Sequence, residues 1–191
     1  ARRALGIGRE PVVLFVGRMD PIKGAPILLD ALSLIEEPIV PHLLMVGGDG
    51  RKDPEIRKLR ARAQRLGIED RVRFLGPKDH SELPLLYNAA DVVAIPSYYE
   101  SFGLVSLEAM ACGTPVVASR VGGLTSTVRD GETGFLIPWR CADPFAERLE
   151  LLLGNRQLRE QFGAAARQVA ASYAWSNIAA QMLTVYQRVA G

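Results

Sequence analysis

The sequence predicts a doubly wound α/β fold, in which a parallel sheet carries helices on both faces and further helices follow the sheet. Short apolar runs alternate with amphipathic stretches over most of the chain, and this alternation is typical of βαβ units. The first three apolar runs are nearly continuous in Val, Ile, Leu and Phe, as expected for strands covered on both faces. After Pro138 only helical patterns follow, so the sheet is predicted to end there.

Six strands and seven helices are predicted in chain order. The strands are short apolar runs, at residues 12–16, 43–46, 72–75, 91–95, 116–118 and 135–137. The stretches between them predict helices at residues 25–35, 54–66, 81–90 and 104–112, and the last segment predicts helices near residues 143–153, 156–171 and 175–189. Tyr173, Trp175 and Tyr186 are expected to pack within these terminal helices. In such a sheet ligands bind beyond the carboxyl ends of the strands, so the residues after each strand are candidates for a site.

Length and composition indicate one globular domain over residues 1–191. A chain of this length buries a sizeable core without disulfides or metal ions. With 48% hydrophobic and 23% charged residues, and with 18 Gly and 12 Pro, the composition excludes a disordered, collagen-like or coiled-coil protein. The chain starts without Met and runs directly toward a strand, which suits a piece of a longer chain, although processing would look the same.

Charge and cysteine content indicate which binding partners and which cellular compartment to expect. The 23 basic and 21 acidic residues leave a net charge of +2, which makes nucleic acid a weak candidate partner. The densest basic stretch begins with Arg51 and Lys52 and could contact a phosphate backbone, but the lack of interleaved aromatic residues favours a solvated helix face. Cys112, Cys141 and two histidines show no metal-ligand spacing, and neither a signal segment nor a membrane-spanning apolar run occurs. We therefore expect a reduced, cytoplasmic protein without a metal ion.

The first candidate site follows the strand predicted at residues 12–16. There Gly17 allows a ligand to approach the backbone closely, and Arg18 and Lys23 follow as two cations. The planar guanidinium of Arg18 suits phosphate oxygens, and Lys23 adds a compact second charge. Neither of the standard Gly-rich phosphate loops is present, and on these residues alone both cations could equally be ordinary surface side chains.

The most informative segment, residues 97–113, follows the strand predicted at residues 91–95. Gly103 opens a helix there, and the backbone N–H groups of its first turn attract an anion such as a diphosphate. Glu100 lies in the loop before the helix, where its carboxylate could accept hydrogen bonds from neutral hydroxyls. Glu108 lies within a helix that is predicted to be buried nearly all round, where a carboxylate needs a partner. That partner is either an Arg or Lys in a structural ion pair or the two vicinal hydroxyls of a ribose.

These motifs together resemble the carboxyl-terminal half of retaining GT-B glycosyltransferases of family 4. That family includes sucrose-phosphate synthases and the N-acetylglucosaminyltransferase of mycothiol synthesis. The resemblance covers essentially the whole chain and depends on segments that are specific in combination: Val16-Gly17-Arg18, Lys23-Gly24, Glu100-Ser101-Phe102-Gly103-Leu104, Glu108-Ala109-Met110-Ala111-Cys112-Gly113-Thr114-Pro115-Val116-Val117-Ala118 and Asp130-Gly131-Glu132-Thr133-Gly134. It implies a Rossmann-like domain, one half of a GT-B fold, that binds a nucleoside-diphosphate sugar.

The resemblance also implies a role for each candidate residue. Arg18 and Lys23 would clamp the donor diphosphate and stabilise it as it leaves, and Glu100 would hold hydroxyls of the donor sugar; these three are the expected catalytic residues. Glu108 would bind the ribose. The remaining members of the expected donor site are Gly17, Pro77, Lys78, Phe102, Gly103, Leu104 and Val105.

The expected reaction is a metal-independent sugar transfer with retention of the anomeric configuration, with a UDP-sugar as donor and no cofactor. Arg18 and Lys23 would take the place of a divalent ion. The acceptor-binding amino-terminal domain of the family has no counterpart in the chain, so we expect the chain alone to bind donor without transferring sugar. The resemblance also allows peripheral membrane association of the full enzyme. A non-catalytic sugar-nucleotide binding module, a phosphorylase and a nucleotide-sugar epimerase are the alternatives.

Three local features concern the loops near the predicted site. After Val121-Gly122-Gly123-Leu124 the family commonly continues with Pro-Glu, whereas this chain has Thr125-Ser126 in a loop that the resemblance places near the donor sugar. The segment Gly47-Gly48-Asp49-Gly50 could approach the donor or form a plain turn. Asp79 and His80 precede a helix and are expected to cap it.

Overall fold

A computed structural model describes residues 1–49, 53–138 and 140–190, which form a six-stranded sheet in the order β3-β2-β1-β4-β5-β6. The strands are β1 (Val12–Val16), β2 (His42–Val46), β3 (Val72–Gly76), β4 (Val92–Ile95), β5 (Val116–Ser119) and β6 (Gly134–Ile137). Every neighbouring pair is parallel; for example, Val13 of β1 lies between Leu43 and Val92 of the adjacent strands. All six strands lie within one residue of their predicted bounds, so the α/β class is confirmed.

Eight α-helices occur in the residues that the structure describes. They are α1 (Ala25–Ser33), α2 (Pro54–Arg65), α3 (Leu83–Ala89), α4 (Leu104–Ala111), α5 (Leu124–Thr127), α6 (Ala142–Gly154), α7 (Arg156–Ser172) and α8 (Trp175–Ala190). The sequence did not predict α5, because four residues are too few to show helical periodicity. The helix predicted from residue 81 begins two residues later, since His80–Glu82 forms a separate 3₁₀ turn before α3.

The described part of the basic stretch forms a solvated helix face. In α2 the residues Ile56, Leu59 and Ala63 face the core, whereas most of the basic side chains are exposed. Arg51 and Lys52, which begin the predicted basic stretch, lie outside the described residues. The arrangement agrees with the solvated-face interpretation.

Helices cover the sheet on both faces, and the strands alternate between two core layers. Val13 and Phe15 of β1 belong to the layer under α1, α2 and α6, whereas Val12 and Leu14 belong to the layer under α3 and α4. All four side chains are buried. Continuous burial explains why β1 reads as an unbroken apolar run instead of an alternating one.

The terminal helix α8 is exposed along its length. Trp175 is 85% exposed and Tyr186 is also exposed, so the prediction that they pack is wrong. The physical reason is that the described elements cover little of α8, in which Ile178 is half-buried and the other large apolar side chains are exposed. Tyr173 does pack, with its ring 6.1 Å from that of Phe102 in an edge-on arrangement.

The sheet order places a switch point between β1 and β4. Chain connections run from β1 through β2 to β3 on one side and from β4 through β5 to β6 on the other. At such a point the loops after the two central strands diverge and leave a crevice at the carboxyl edge of the sheet. The loops after β1 and β4 are the two that carry most of the predicted site residues.

Candidate functional site

The loop after β1 forms a tight turn that ends at Lys23. The Asp20 carboxylate accepts a hydrogen bond from the Ile22 N–H (3.0 Å) and caps a 3₁₀ turn over Pro21–Lys23. The carbonyl of Ile22 then accepts a hydrogen bond from the N–H of Tyr98 (2.8 Å), which lies in the loop after β4. The two loops are therefore joined directly, although they are far apart in the sequence.

The loop after β4 leads into the N-terminus of α4. Gly103 precedes the helix with φ of 89°, a left-handed conformation that suits glycine. The Ser106 hydroxyl donates to the Gly103 carbonyl (2.7 Å) and stabilises the first turn. The N–H groups of this turn, at Leu104 and Val105, have no acceptor within the helix and carry its positive partial charge. The geometry is therefore that of a helix terminus open to an anion.

A pocket of about 160 Å³ lies between the two loops. Among the described residues its lining includes Gly17, Lys23 and residues 100–105. Lys23 Nζ lies 2.7 Å from Glu100 Oε2, and the two side chains are only 22% and 17% exposed. The structure thus brings one cation, one carboxylate and a helix N-terminus to the same small volume.

Arg18 lies outside this cluster. Its side chain is 78% exposed, and its guanidinium lies 3.9 Å from the carboxylate of Asp20, which is a loose surface contact. Gly17, beside it, does line the pocket. The structure therefore places Arg18 next to the pocket but not in its wall.

Glu108 is held by two side chains that sequence reasoning did not connect with it. The Tyr87 hydroxyl donates to Glu108 Oε2 (2.6 Å), and His80 Nε2 lies 3.0 Å from Glu108 Oε1. Burial, and next the hydrogen bond to Glu108, raises the pKa of Tyr87, so the phenol keeps its proton. Among the residues that the structure describes, no Arg or Lys forms an ion pair with Glu108.

Two predictions near Glu108 need correction. The helix α4 is not buried all round: Leu104 is 60% exposed and Ala111 is exposed, while the Glu108 side chain is 26% exposed. The contacts of α4 with α3, α5, α7 and the sheet leave Leu104 and Ala111 uncovered. The capping role holds for Asp79, whose N–H donates to the Glu82 carboxylate (3.0 Å), but the His80 ring points to Glu108 instead.

Pro77 and Lys78 are exposed at the carboxyl end of β3. Lys78 Nζ lies 3.0 Å from the Glu82 carboxylate, four residues along the chain. Gly47, after β2, packs on the loop after β1, since a Cβ there would lie 1.9 Å from the Gly17 carbonyl oxygen. Gly50 lies outside the described residues.

Sequence reasoning missed the role of the Gly122-Gly123 pair after β5. The Gly123 N–H donates to the Glu100 carbonyl (2.9 Å). A Cβ at Gly122 would lie 2.0 Å from that same carbonyl oxygen, and one at Gly123 would lie 2.4 Å from the Phe102 Cα. Because they lack a Cβ, the two glycines let the loop after β5 pack directly against the backbone of residues 100–102. The adjacent glycines were the signal, but nothing local in the sequence connects them with Glu100.

Two further findings concern metal ions and membranes. Over residues 1–49, 53–138 and 140–190, no group of three or more His, Cys, Asp or Glu side chains is arranged to hold a metal ion. In the same part of the chain, no helix has the length and apolar character needed to cross a membrane.

The parallel sheet and the pocket at its switch point define a Rossmann-like domain. Residues 1–169 match the family of glycosyl transferases group 1. The chain belongs to this family, which confirms the resemblance drawn from the sequence motifs.

Individual relatives agree with the family assignment. The D-inositol 3-phosphate glycosyltransferase of Jonesia denitrificans is 43% identical over 192 residues, which cover 98% of this chain and 45% of that protein. Sucrose-phosphate synthase from Thermosynechococcus elongatus has a TM-score of 0.90 at 40% identity and covers 98% of this chain and 48% of its own. HepE of Anabaena, solved in complex with UDP, has a TM-score of 0.86 at 30% identity and covers 100% of this chain and 51% of its own. The chain spans about half the length of these relatives.

Proposed function

We propose that the chain is the donor-binding half of a retaining glycosyltransferase that uses a UDP-sugar. The observation that carries the proposal is the pocket between the loops after β1 and β4, where Lys23, Glu100 and the N-terminus of α4 meet. The choice of UDP is supported by HepE, whose solved structures hold UDP and UDP-glucose. Retention of the anomeric configuration follows from the resemblance to family 4 enzymes.

In this proposal the diphosphate binds at the N-terminus of α4. The N–H groups of Leu104 and Val105 point their positive partial charge toward the phosphates, and Lys23 adds a full charge from the opposite loop. Arg18, exposed beside Gly17, is assigned to the outer side of the diphosphate. When the bond between sugar and phosphate breaks, negative charge grows on the leaving diphosphate, and these groups stabilise it. They supply the charge that a divalent ion would otherwise provide, so we propose a metal-independent reaction without a cofactor.

The two carboxylates are assigned to the two ends of the donor. Glu100 lies at the inner wall of the pocket beside Phe102, where it would accept hydrogen bonds from hydroxyls of the sugar. Glu108 lies within α4, four residues after Leu104 at the helix start. Its side chain is partly exposed, and its carboxylate would accept the ribose hydroxyls. Pro77 and Lys78, at the end of β3, would contact the nucleobase.

The acceptor is assigned to the other half of the enzyme. The chain spans about half the length of its relatives, and transfer requires an acceptor held within reach of the anomeric carbon. The exposed apolar side chains of α8 also support a further domain against this helix. They include Trp175, Met182, Leu183, Val185, Tyr186 and Val189. We therefore propose that the chain binds donor but does not complete the transfer by itself.

A thermal-shift screen of UDP, GDP, ADP and their sugars tests the donor assignment. A ligand at a hundred times its Kd stabilises the folded state by about 2.7 kcal/mol, which gives a measurable rise in Tm. We expect the largest rise with the UDP compounds and a loss of that rise in Lys23→Ala. Lys58→Ala is a matched control, since Lys58 is an exposed lysine on α2 outside the pocket. A larger shift with GDP or ADP compounds, or none with any nucleotide, would contradict the assignment.

An activity assay on the same protein tests the half-enzyme proposal. Product analysis after incubation with UDP-glucose and a panel of acceptors should show no transfer and at most slow hydrolysis. Robust transfer to any acceptor would mean that the catalytic groups all lie within the 191 residues.

A further inference from the structure

Three elements bring their side chains together at Glu108. Glu108 lies on α4, Tyr87 lies on α3, and His80 lies in the turn before α3. The Tyr87 hydroxyl lies 2.6 Å from Glu108 Oε2, and His80 Nε2 lies 3.0 Å from Glu108 Oε1. The two carboxylate oxygens therefore have different partners, and those partners differ strongly in burial.

Tyr87 is the buried partner. Its residue is 1% exposed and packs in the core layer under α3 and α4. Its backbone carbonyl accepts a hydrogen bond from the Thr114 hydroxyl (2.8 Å), which fixes α3 against the segment before β5. Because the phenol keeps its proton, it can only act as donor to the ionised Glu108. The position of Glu108 Oε2 is therefore set by a buried group that has no room to move.

His80 is the exposed partner. Its side chain is 83% exposed, so the ring can leave Glu108 Oε1 at little cost. An ionised carboxylate offers about four acceptor positions on its two oxygens. Because the Tyr87 hydroxyl occupies only one of these positions, the acceptor positions on the exposed side of the carboxylate can still receive two hydroxyls.

We propose that Tyr87 is a positioning residue for nucleoside binding, because its hydroxyl holds the Glu108 carboxylate in the orientation that accepts the two vicinal hydroxyls of a ribose. This inference rests on the proposed role of Glu108. Tyr87 acts only through that carboxylate and has no contact of its own with the nucleotide. Its hydroxyl should therefore matter for a ligand that has ribose hydroxyls and be irrelevant for one that lacks them.

The test compares the binding of UDP with that of 2′,3′-dideoxy-UDP by titration calorimetry on the purified chain. Tyr87→Phe keeps the buried ring and removes one charge-assisted hydrogen bond, so we expect UDP to bind about tenfold more weakly. The dideoxy compound should bind to Tyr87→Phe as it does to the unsubstituted chain. Tyr173→Phe is the matched control, since it removes a hydroxyl that donates to the Ser126 carbonyl (3.1 Å), and it should change neither affinity.

Two outcomes would overturn the inference. Equal weakening of both ligands by Tyr87→Phe would mean a general structural role, and no weakening of either would mean that the hydroxyl does not matter. Glu108→Ala separates this from the proposed function: it should abolish the preference for UDP over the dideoxy compound. If it leaves that preference intact, the ribose assignment itself fails, and the role of Tyr87 fails with it.

A double-substitution cycle keeps the inference testable if Tyr87→Phe alone does not fold. Tyr87→Phe combined with Glu108→Ala removes the carboxylate together with its donor, so no unpaired charge is left behind. Because Tyr87 acts through Glu108, the double variant should bind UDP as Glu108→Ala does. A further loss of UDP affinity in the double variant would overturn the inference.

Discussion

Gly123→Ala is the substitution that most directly tests how the pocket is supported. The backbone at Gly123 has φ of −63°, which alanine adopts without strain, so the only new element is the Cβ. That Cβ would lie 2.4 Å from the Phe102 Cα and 2.6 Å from two carbonyl oxygens, those of Ser101 and Phe102. Ordinary contacts of this kind start at 3.4 Å, so the loop must move by about 1 Å. The opposing atoms are all backbone and cannot turn aside as a side chain could.

A displacement of this size would remove hydrogen bonds that the proposed donor site makes to its ligand. Residues 100–102 move together with the start of α4, so the Glu100 carboxylate and the first N–H groups of the helix all leave their positions. A hydrogen bond lengthened from 2.8 Å by about 1 Å is lost. With one charge-assisted bond at about 1.5–3 kcal/mol, UDP-glucose should bind about ten- to a hundredfold more weakly.

Titration calorimetry with UDP-glucose measures the effect, and a melting curve shows whether the variant is folded. Gly131→Ala is the control, because that position has φ of +78° and no atom within 4 Å of the added Cβ. It should lose about 1–2 kcal/mol of stability through left-handed backbone strain and keep its affinity. If folded Gly123→Ala binds UDP-glucose as the unsubstituted chain does, the β5 loop does not position Glu100.

Four further outcomes are expected. Lys23→Ala and Arg18→Ala should each weaken UDP about ten- to a hundredfold and leave uridine binding unchanged, as measured by calorimetry; equal losses for both ligands would contradict the diphosphate assignment. Glu100→Gln should keep the affinity for UDP and lose the additional affinity for UDP-glucose, whereas a loss for UDP itself would reverse the roles of the two carboxylates. Because the pKa of Tyr87 is raised above its usual 10.0, the stability from its protonated phenol is complete below pH 10 and is lost as the pH rises above that value; Tm should fall more steeply there in the unsubstituted chain than in Tyr87→Phe. Phe145→Ala removes a fully buried ring from one core layer and should cost about 3–5 kcal/mol in denaturant unfolding, and a cost below 1 kcal/mol would contradict the assigned packing.

The strands were predictable because a parallel sheet buries both of its faces. Each strand then appears as a short apolar run, and the run in β1 contains only Val, Leu and Phe. The helix α5 was not predictable, since its four residues are Leu, Thr, Ser and Thr and show no periodicity. The exposure of the aromatic residues of α8 was not predicted, because periodicity alone does not show whether another element covers the apolar face of a helix.

The position of the site was predictable, but its pairwise contacts were not. Parallel topology places the residues after β1 and β4 at one edge, so Lys23 and Glu100 were assigned to one site from spacing and resemblance. Their direct contact depends on side-chain conformations across 77 residues of sequence. The contact between Tyr87 and Glu108 depends in the same way on how α3 packs against α4. A buried tyrosine needs a partner for its hydroxyl, and that general rule was the only clue available.

The contact between Lys23 and Glu100 also bears on which sugars the site rejects. Without a ligand, Lys23 and Glu100 neutralise each other. If only the diphosphate or only the sugar were bound, one of the two side chains would lose its partner. A free hexose offers neutral hydroxyls, and these would have to displace an ammonium group from Glu100, although charge-assisted hydrogen bonds are about twice as strong as neutral ones. A sugar joined to a diphosphate brings an anion that attracts Lys23 and thereby uncovers the carboxylate for the sugar. The pair would therefore make the site respond to activated sugars and ignore the same sugars in their free form.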